Sequence, residues 1–124
     1  MEFENIYNRI WVSDFEVFAH DWLLVCKNYV TKEEKIFHNS PREEIYSFMR
    51  ENNVIFVGHN FKGYDQYILK AILAGFSIEE VKEVNDKIVS GIQGWEIDYG
   101  EYIEPFPVWD TILADRKSGS AGMP

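Results

Sequence analysis

Two acidic side chains lie two residues apart inside a strongly apolar segment. Asp14 and Glu16 stand in the run Ile10–Phe18, which is otherwise aromatic and β-branched and predicts a buried strand. Alternation along a strand puts both carboxylates on one face, ~7 Å apart along the backbone. Carboxylate oxygens at this spacing can converge on one hard cation, and Mg²⁺ or Mn²⁺ is the expected one. The alternative is an edge strand on which both acids are simply solvated.

A second polar group follows another apolar run. Residues 54–57 predict a strand covered on both faces, and the following loop contains Asn60 and leads to Asp65. Asp65 falls in the first turn of the next predicted helix, where the helix dipole favours a carboxylate. A helical crossover makes this strand parallel to the first, so its end opens beside Asp14 and Glu16. Three carboxylates are therefore predicted at one crevice, with an ordinary first-turn acid and an ordinary turn asparagine as the alternative.

The elements that must position these residues form a predicted α/β fold. The expected order is β-β-β-α-β-α-α-β, with an antiparallel meander of three strands, then two parallel strands, and helices packed on the mixed sheet. The expected strands are 10–18, 22–29, 35–38, 54–57 and 107–111, the expected helices are 41–51, 64–74 and the stretch between Ser77 and Gly91, and 92–105 is an irregular loop or hairpin.

Helix ends are marked by their capping residues. Ser40 with Glu43, and Ser77 with Glu80, have the spacing of capping boxes, in which each side chain bonds the backbone N–H of the other residue. Gly75 is the expected C-cap of the middle helix.

Composition limits the classes of function. The 124 residues are expected to form one domain over 1–113 and a flexible polar tail over 114–124. A net charge of −9 disfavours nonspecific binding to nucleic acid or to anionic membranes. The single cysteine, Cys26, excludes an internal disulfide and fits a reducing compartment. No apolar run approaches ~18 residues and the N-terminal residues do not form a signal peptide, so a cytoplasmic protein is expected.

Taken together, these motifs resemble the 3′–5′ exonuclease domains of the DEDD superfamily, most closely the N-terminal proofreading domains of phage-type DNA polymerases. The resemblance covers about residues 9–113. The D-x-E sequence at 14–16 matches the first motif, Asn60 followed by Asp65 matches the second, and the last strand ends in Asp-Thr as in the family. The resemblance implies an RNase H-like fold, and a bacterial host cytoplasm if the chain is phage-encoded.

The resemblance also implies a role for each matched residue in two-metal hydrolysis of a nucleic-acid 3′ end. Asp14 would contact both metal ions, Glu16 the ion that activates water, and Asp65 the second ion. Asn60 would hold the backbone of a single-stranded DNA 3′ end, with RNA as the other candidate substrate. The aromatic residues expected to stack on frayed bases, each with core packing as its alternative, are Phe15, Phe18, Phe61 and Tyr64.

One part of the family pattern has no counterpart here. The third motif, Tyr or His followed by Asp on a later helix, is missing after Thr111, which predicts a weak or inactive nuclease. A piece of a polymerase, a shortened gene product and a repurposed protein all fit this pattern. The alternative function is a non-catalytic binding or inhibitory module on the same fold, which could dimerise through the surface left open. A Rossmann-type nucleotide binder is disfavoured because no glycine-rich phosphate loop follows the first strand.

Overall fold

Alternating apolar and polar side chains organise the first three strands. In the computed structural model, which describes residues 6–111, a short 3-10 turn leads into strand β1 at Ile10–Val17. Strand β2 is Trp22–Asn28 and strand β3 is Glu34–His38. Both pairings are antiparallel, with β2 between β1 and β3. The predicted meander is therefore confirmed.

The crossover after β3 brings the chain back parallel to β1. Strand β4, Ile55–Gly58, pairs with β1 in parallel, and strand β5, Val108–Asp110, pairs with β4 in parallel. The five-stranded mixed sheet has the order β3-β2-β1-β4-β5. The parallel strand ends thus meet beside the carboxyl end of β1, as the sequence predicts.

Within residues 6–111, the helices α1 to α3 complete one hydrophobic core with one face of the sheet. Helix α1 is Arg42–Asn52, α2 is Gln66–Leu73 and α3 is Ile78–Val89. Their apolar side chains join a cluster with those of alternate strand residues, and the ring of Phe48 packs edge-on against Trp11 at 4.9 Å between centroids. The opposite face of the sheet carries the exposed side chains of β1, including both of its acids. No helix among residues 6–111 is long and apolar enough to cross a membrane.

The two predicted capping boxes have different outcomes. The one at Ser77 is confirmed, because its hydroxyl accepts the Glu80 N–H at 3.1 Å and its own N–H donates to the Glu80 carboxylate at 2.8 Å. The one at Ser40 and Glu43 is wrong. Pro41 is extended, with φ −61° and ψ 148°, and takes the N-cap position of α1 without a side-chain hydrogen bond. The helix therefore begins one residue later than the pattern predicts.

The middle helix also begins differently. A π-helical turn covers Phe61–Asp65, where the sequence predicts a loop followed by the first helical residues, and α2 starts only at Gln66. The segment 92–105 is irregular apart from a 3-10 turn at Gly94–Glu96. The predicted flexible tail, 114–124, lies outside the described residues.

Cys26 lies on the core face of β2 and is fully buried. Burial raises the pKa of its thiol to about 12, and a hydrogen bond with Ser13 offsets only part of that effect. The thiolate is the reactive form, so this cysteine is inert while the sheet is intact.

We expect iodoacetamide to modify Cys26 only in the unfolded chain. At pH 8 a thiol with this pKa is ionised in about one molecule in ten thousand, and burial also removes access. Mass-spectrometric labelling across a urea series checks this, with the fully unfolded chain as the positive control. Labelling in native buffer at the rate of the unfolded chain would contradict the burial of β2.

Candidate functional site

Strand β1 presents its two acids on the open face of the sheet. Asp14 and Glu16 are exposed, while their neighbours Ser13 and Phe15 are buried. This alternation places both carboxylates on one face, as the sequence predicts. The pairing of β1 with β4 ends at Val12, and both acids lie on the part of β1 beyond that point.

Asp65 occupies the space that β4 leaves beside β1. Its side chain is only 2% exposed, and its Oδ1 accepts the backbone N–H of Phe15 at 2.9 Å. That N–H has no strand partner on this side, so the carboxylate replaces the missing ladder bond. Asp65 is the N-cap residue of α2 rather than part of its first turn, and its side chain makes no capping bond. The carboxylate thus bonds the backbone between Asp14 and Glu16.

Asp110, at the end of β5, accepts hydrogen bonds from the beginning of the π-helical turn that ends at Asp65. Its two carboxylate oxygens accept the N–H groups of Asn60 and Lys62 at 3.0 and 3.1 Å, and the side chain is buried. Sequence reasoning identified this residue only as part of a strand end. The available signal was its place after the last parallel strand, where polar groups of neighbouring strands meet.

The turn itself depends on two close approaches of the backbone. Asn60 adopts the left-handed conformation with φ 60°, which asparagine tolerates well, and its amide oxygen occupies the space that a side chain at Gly63 would need. At Gly58, an added Cβ would lie 2.6 Å from the carbonyl oxygen of Ser13 and 2.8 Å from the Phe61 ring. Glycine is therefore required where β4 passes into the turn.

The acids of this region interact electrostatically. Burial raises the pKa of Asp65 to about 7; the Phe15 N–H opposes this rise, and the charges of Asp14 and Asp110 add to it. Burial likewise raises the pKa of Tyr64 to about 12, with Asp65 and Asp14 contributing. The Tyr64 hydroxyl donates to Asn85 of α3 at 2.6 Å, a contact that no sequence motif indicated. The charge of Asp14 therefore acts on the pKa of both Asp65 and Tyr64.

The predicted aromatic contacts fall into two groups. Phe15 and Phe61 are buried, with the Phe61 ring stacked on Phe56 at 5.5 Å between centroids. Core packing, the alternative to base stacking, therefore describes both rings in this structure. Tyr64 is half-buried, and Phe18, at the end of β1, is 48% exposed. Phe18 is thus the most accessible of the four rings.

The donor set has the right chemistry for a hard cation but is not assembled as a complete cluster. Within residues 6–111, no group of three His, Cys, Asp or Glu side chains is close enough together to hold a metal ion. The charge of Asp14 contributes to the raised pKa of Asp65, and Glu16 is exposed on the same face of β1 as Asp14. Asp65 is a buried carboxyl with a raised pKa, and a second carboxylate lies near it. A bound cation would offset both the repulsion between the two groups and the cost of burying a negative charge.

Comparison with known proteins adds no further identification. No family model matches the sequence, and neither a curated protein nor a solved structure matches it. The likeness to DEDD exonuclease domains therefore stays a prediction from the sequence motifs.

The raised pKa of Asp65 makes stability depend on pH. A carboxyl whose pKa rises from 3.8 to about 7 on folding favours the native state in its protonated form, so the free energy of unfolding falls as pH rises from 4 to 7. The expected loss is up to about 4 kcal/mol. Asp65→Asn should match the native chain at pH 4 and exceed it at pH 8. Urea unfolding of both chains measures this, and parallel pH profiles would contradict a protonated Asp65.

Gly58→Ala tests the close approach of β4 to β1. The new methyl group meets a carbonyl oxygen and a buried ring, so we expect a loss of about 2–3 kcal/mol in the free energy of unfolding. Gly91→Ala is the matched control, because its Cβ would meet no atom within 4 Å and only its φ of 113° is strained, at a cost of about 1 kcal/mol. Equal losses in thermal or urea unfolding would show that Gly58 is not sterically required.

Proposed function

We propose that this chain is a 3′–5′ exonuclease-like domain with an RNase H-like fold that acts on single-stranded DNA ends with Mg²⁺ or Mn²⁺, with weak or no hydrolysis because the third motif of the family has no counterpart after Thr111. The observation that carries the proposal is the bond from the Phe15 N–H to Asp65, which puts a buried carboxylate on the backbone between Asp14 and Glu16. Phe15 and Asp65 are 50 residues apart in the sequence. The bond between them brings Asp65 to the strand that carries Asp14 and Glu16, which is consistent with the motif likeness.

The topology supports the same proposal. The sheet has three antiparallel strands followed by two parallel ones, in the order β3-β2-β1-β4-β5, and the matched acids lie on its central strand and on the turn after β4. Ligands in sheets of this kind bind where the parallel strands end. The proposed substrate therefore approaches the sheet from the carboxyl ends of β1, β4 and β5.

Each proposed role follows from where a side chain lies. Divalent cations bound to Asp14, Glu16 and Asp65 would supply an activated water and stabilise the departing 3′ oxygen. Asp65 would hold its oxygen in place through the Phe15 N–H, which fixes the carboxylate before any ligand arrives. Asn60 would hold the nucleotide backbone from a turn that Asp110 fixes to β5.

The negative net charge of the chain is consistent with a phosphate substrate that binds through divalent cations. The chain carries a net charge of −9, and three of its acids are assigned to the proposed cation site. Phosphate and carboxylates repel each other unless positive charge lies between them. Substrate binding by this domain should therefore require the divalent ion.

A non-catalytic binding module remains the second candidate. It is favoured by apolar side chains on the open face of the sheet. Val12, Ile36 and Trp109 lie on that face and are each about half exposed. Such a face could pair two copies of the chain.

We expect the chain with Mn²⁺ to shorten a 5′-labelled single-stranded DNA from its 3′ end, and Glu16→Gln to lower that rate by about 10² or more, because metal ligands act as a unit. Glu83→Gln, an exposed glutamate on α3, is the matched control and should leave the rate unchanged. Denaturing gels measure the products, and a Mn²⁺ titration of both variants measures binding.

The outcomes separate the two candidates. Cleavage that depends on Glu16 and Asp14 supports the exonuclease. Mn²⁺ binding that depends on Asp14, without any cleavage, supports the non-catalytic module. An unchanged rate in Glu16→Gln would assign the cleavage to a contaminating nuclease, and the absence of both binding and cleavage would reject the cation site.

A further inference from the structure

A groove of about 500 Å³ lies between β3 and α1, on the helix-covered face of the sheet, whereas the exposed carboxylates of β1 lie on the other face. Its lining includes the aromatic side chains of Trp11, Phe37 and Phe48, which belong to the core. Strand β3 forms one side and the exposed flank of α1 forms the other. The groove is therefore apolar at its base and bordered by two regular elements.

The sides of the groove are strongly acidic. Its lining contains four glutamates and one lysine. Lys35 lies over the Phe37 ring at 5.6 Å, and Glu43 is 3.8 Å from Arg42. Glu44 and Glu51 are exposed on α1, and no ion pair of either side chain is found within residues 6–111. The groove thus complements a positively charged ligand and repels phosphate.

Strand β3 offers unpaired backbone groups along this groove. It is the terminal strand of the sheet formed by the described residues. The Glu33 carbonyl accepts from Asn28 and the Asn39 N–H donates to Trp22, so odd-numbered residues face β2. Alternation then directs the N–H and C=O groups of Ile36 and its even-numbered neighbours outward. An exposed strand edge of this kind is a template for a further strand.

The groove also contains an unsatisfied buried donor. Trp11 is 2% exposed, and its indole N–H is a buried side-chain donor without an acceptor within residues 6–111. Such donors are uncommon in native proteins, and this one lies at the base of the groove.

We propose that this groove binds an extended basic segment of a partner protein, which adds to the sheet as a sixth strand beside β3. A strand there lies ~4.8 Å from β3 and points alternate side chains towards α1. Lysine or arginine at those positions meets Glu44 and Glu51. The intervening side chains lie on the face of Ile36, which is 55% exposed, so they are apolar. The recognised pattern is therefore an alternation of basic and apolar residues.

The test uses the full chain and a blocked, fluorescein-labelled peptide of seven alternating lysines and valines. Fluorescence anisotropy should show saturable binding that weakens as salt rises. Two control peptides have glutamate in place of lysine, or proline in place of the central valine, which removes a backbone donor. Both should bind at least tenfold more weakly.

Two pairs of variants test the two parts of the groove. Glu44→Gln with Glu51→Gln should weaken binding about fivefold, while Glu79→Gln with Glu83→Gln on α3 should not. Ile36→Pro removes an outward N–H and leaves the bonds to β2 intact, so it should abolish binding and retain the far-ultraviolet circular dichroism spectrum. Ile36→Ala keeps that N–H and should bind within about threefold of the native chain.

Several results would overturn the proposal. Equal affinity for the proline-containing peptide would show a site for any polycation rather than for an added strand. Unchanged binding in Ile36→Pro, or equal effects of the α1 and α3 substitutions, would place the peptide elsewhere. No binding of the lysine–valine peptide at low salt would reject the groove as a docking site. Asp14→Ala should leave the affinity unchanged, which separates this surface from the proposed cation site.

Discussion

The structure depends on how the chain completes the hydrogen bonding of β1 where β4 ends. Strand β4 pairs with β1 only as far as Val12, so the inner edge of β1 would continue with unpaired N–H groups in a buried place. Such groups are costly unless an acceptor reaches them. Asp65 provides one for Phe15, and this bond sets the position of the turn relative to the central strand.

A carboxylate also accepts backbone N–H groups at the end of β5. Asp110 accepts two N–H groups from the turn, so a carboxylate on each side holds the segment from Asn60 to Asp65. The arrangement concentrates negative charge in a region of low exposure, which burial alone already disfavours. The raised pKa of Asp65 is the measure of that cost. A chain that maintains such a charge cluster gains from a cation or a proton there.

The sequence predicts the strand order and the meeting of Asp14 with Asp65 because both follow from strong rules. Apolar runs define the strands, and a helical crossover requires parallel pairing. The predicted contacts of Phe15 and Phe61 with nucleic acid depended on the family likeness, whereas the burial of both rings depends on the packing of the whole core. Alternation along β1 puts Phe15 on the face opposite the two acids, whereas the burial of Phe61 follows from its stacking on Phe56 in the core.

Other differences have local causes. The predicted cap at Ser40 assumed that Pro41 occupies the first helical position, but its extended ψ shifts the helix start by one residue. The π-helical turn and the role of Asp110 depend on contacts between residues about 50 positions apart, such as Asn60 with Asp110. Spacing rules describe neighbours in the chain, so they identify the residue types here but not their partners.

A strand is normally held by carbonyl oxygens, whose capacity to accept a hydrogen bond is constant. At Phe15 the acceptor is instead an ionisable group, so one bond of the central strand changes in strength with the charge on Asp65. The pH of the solution therefore acts directly on a hydrogen bond of the backbone that carries Asp14 and Glu16.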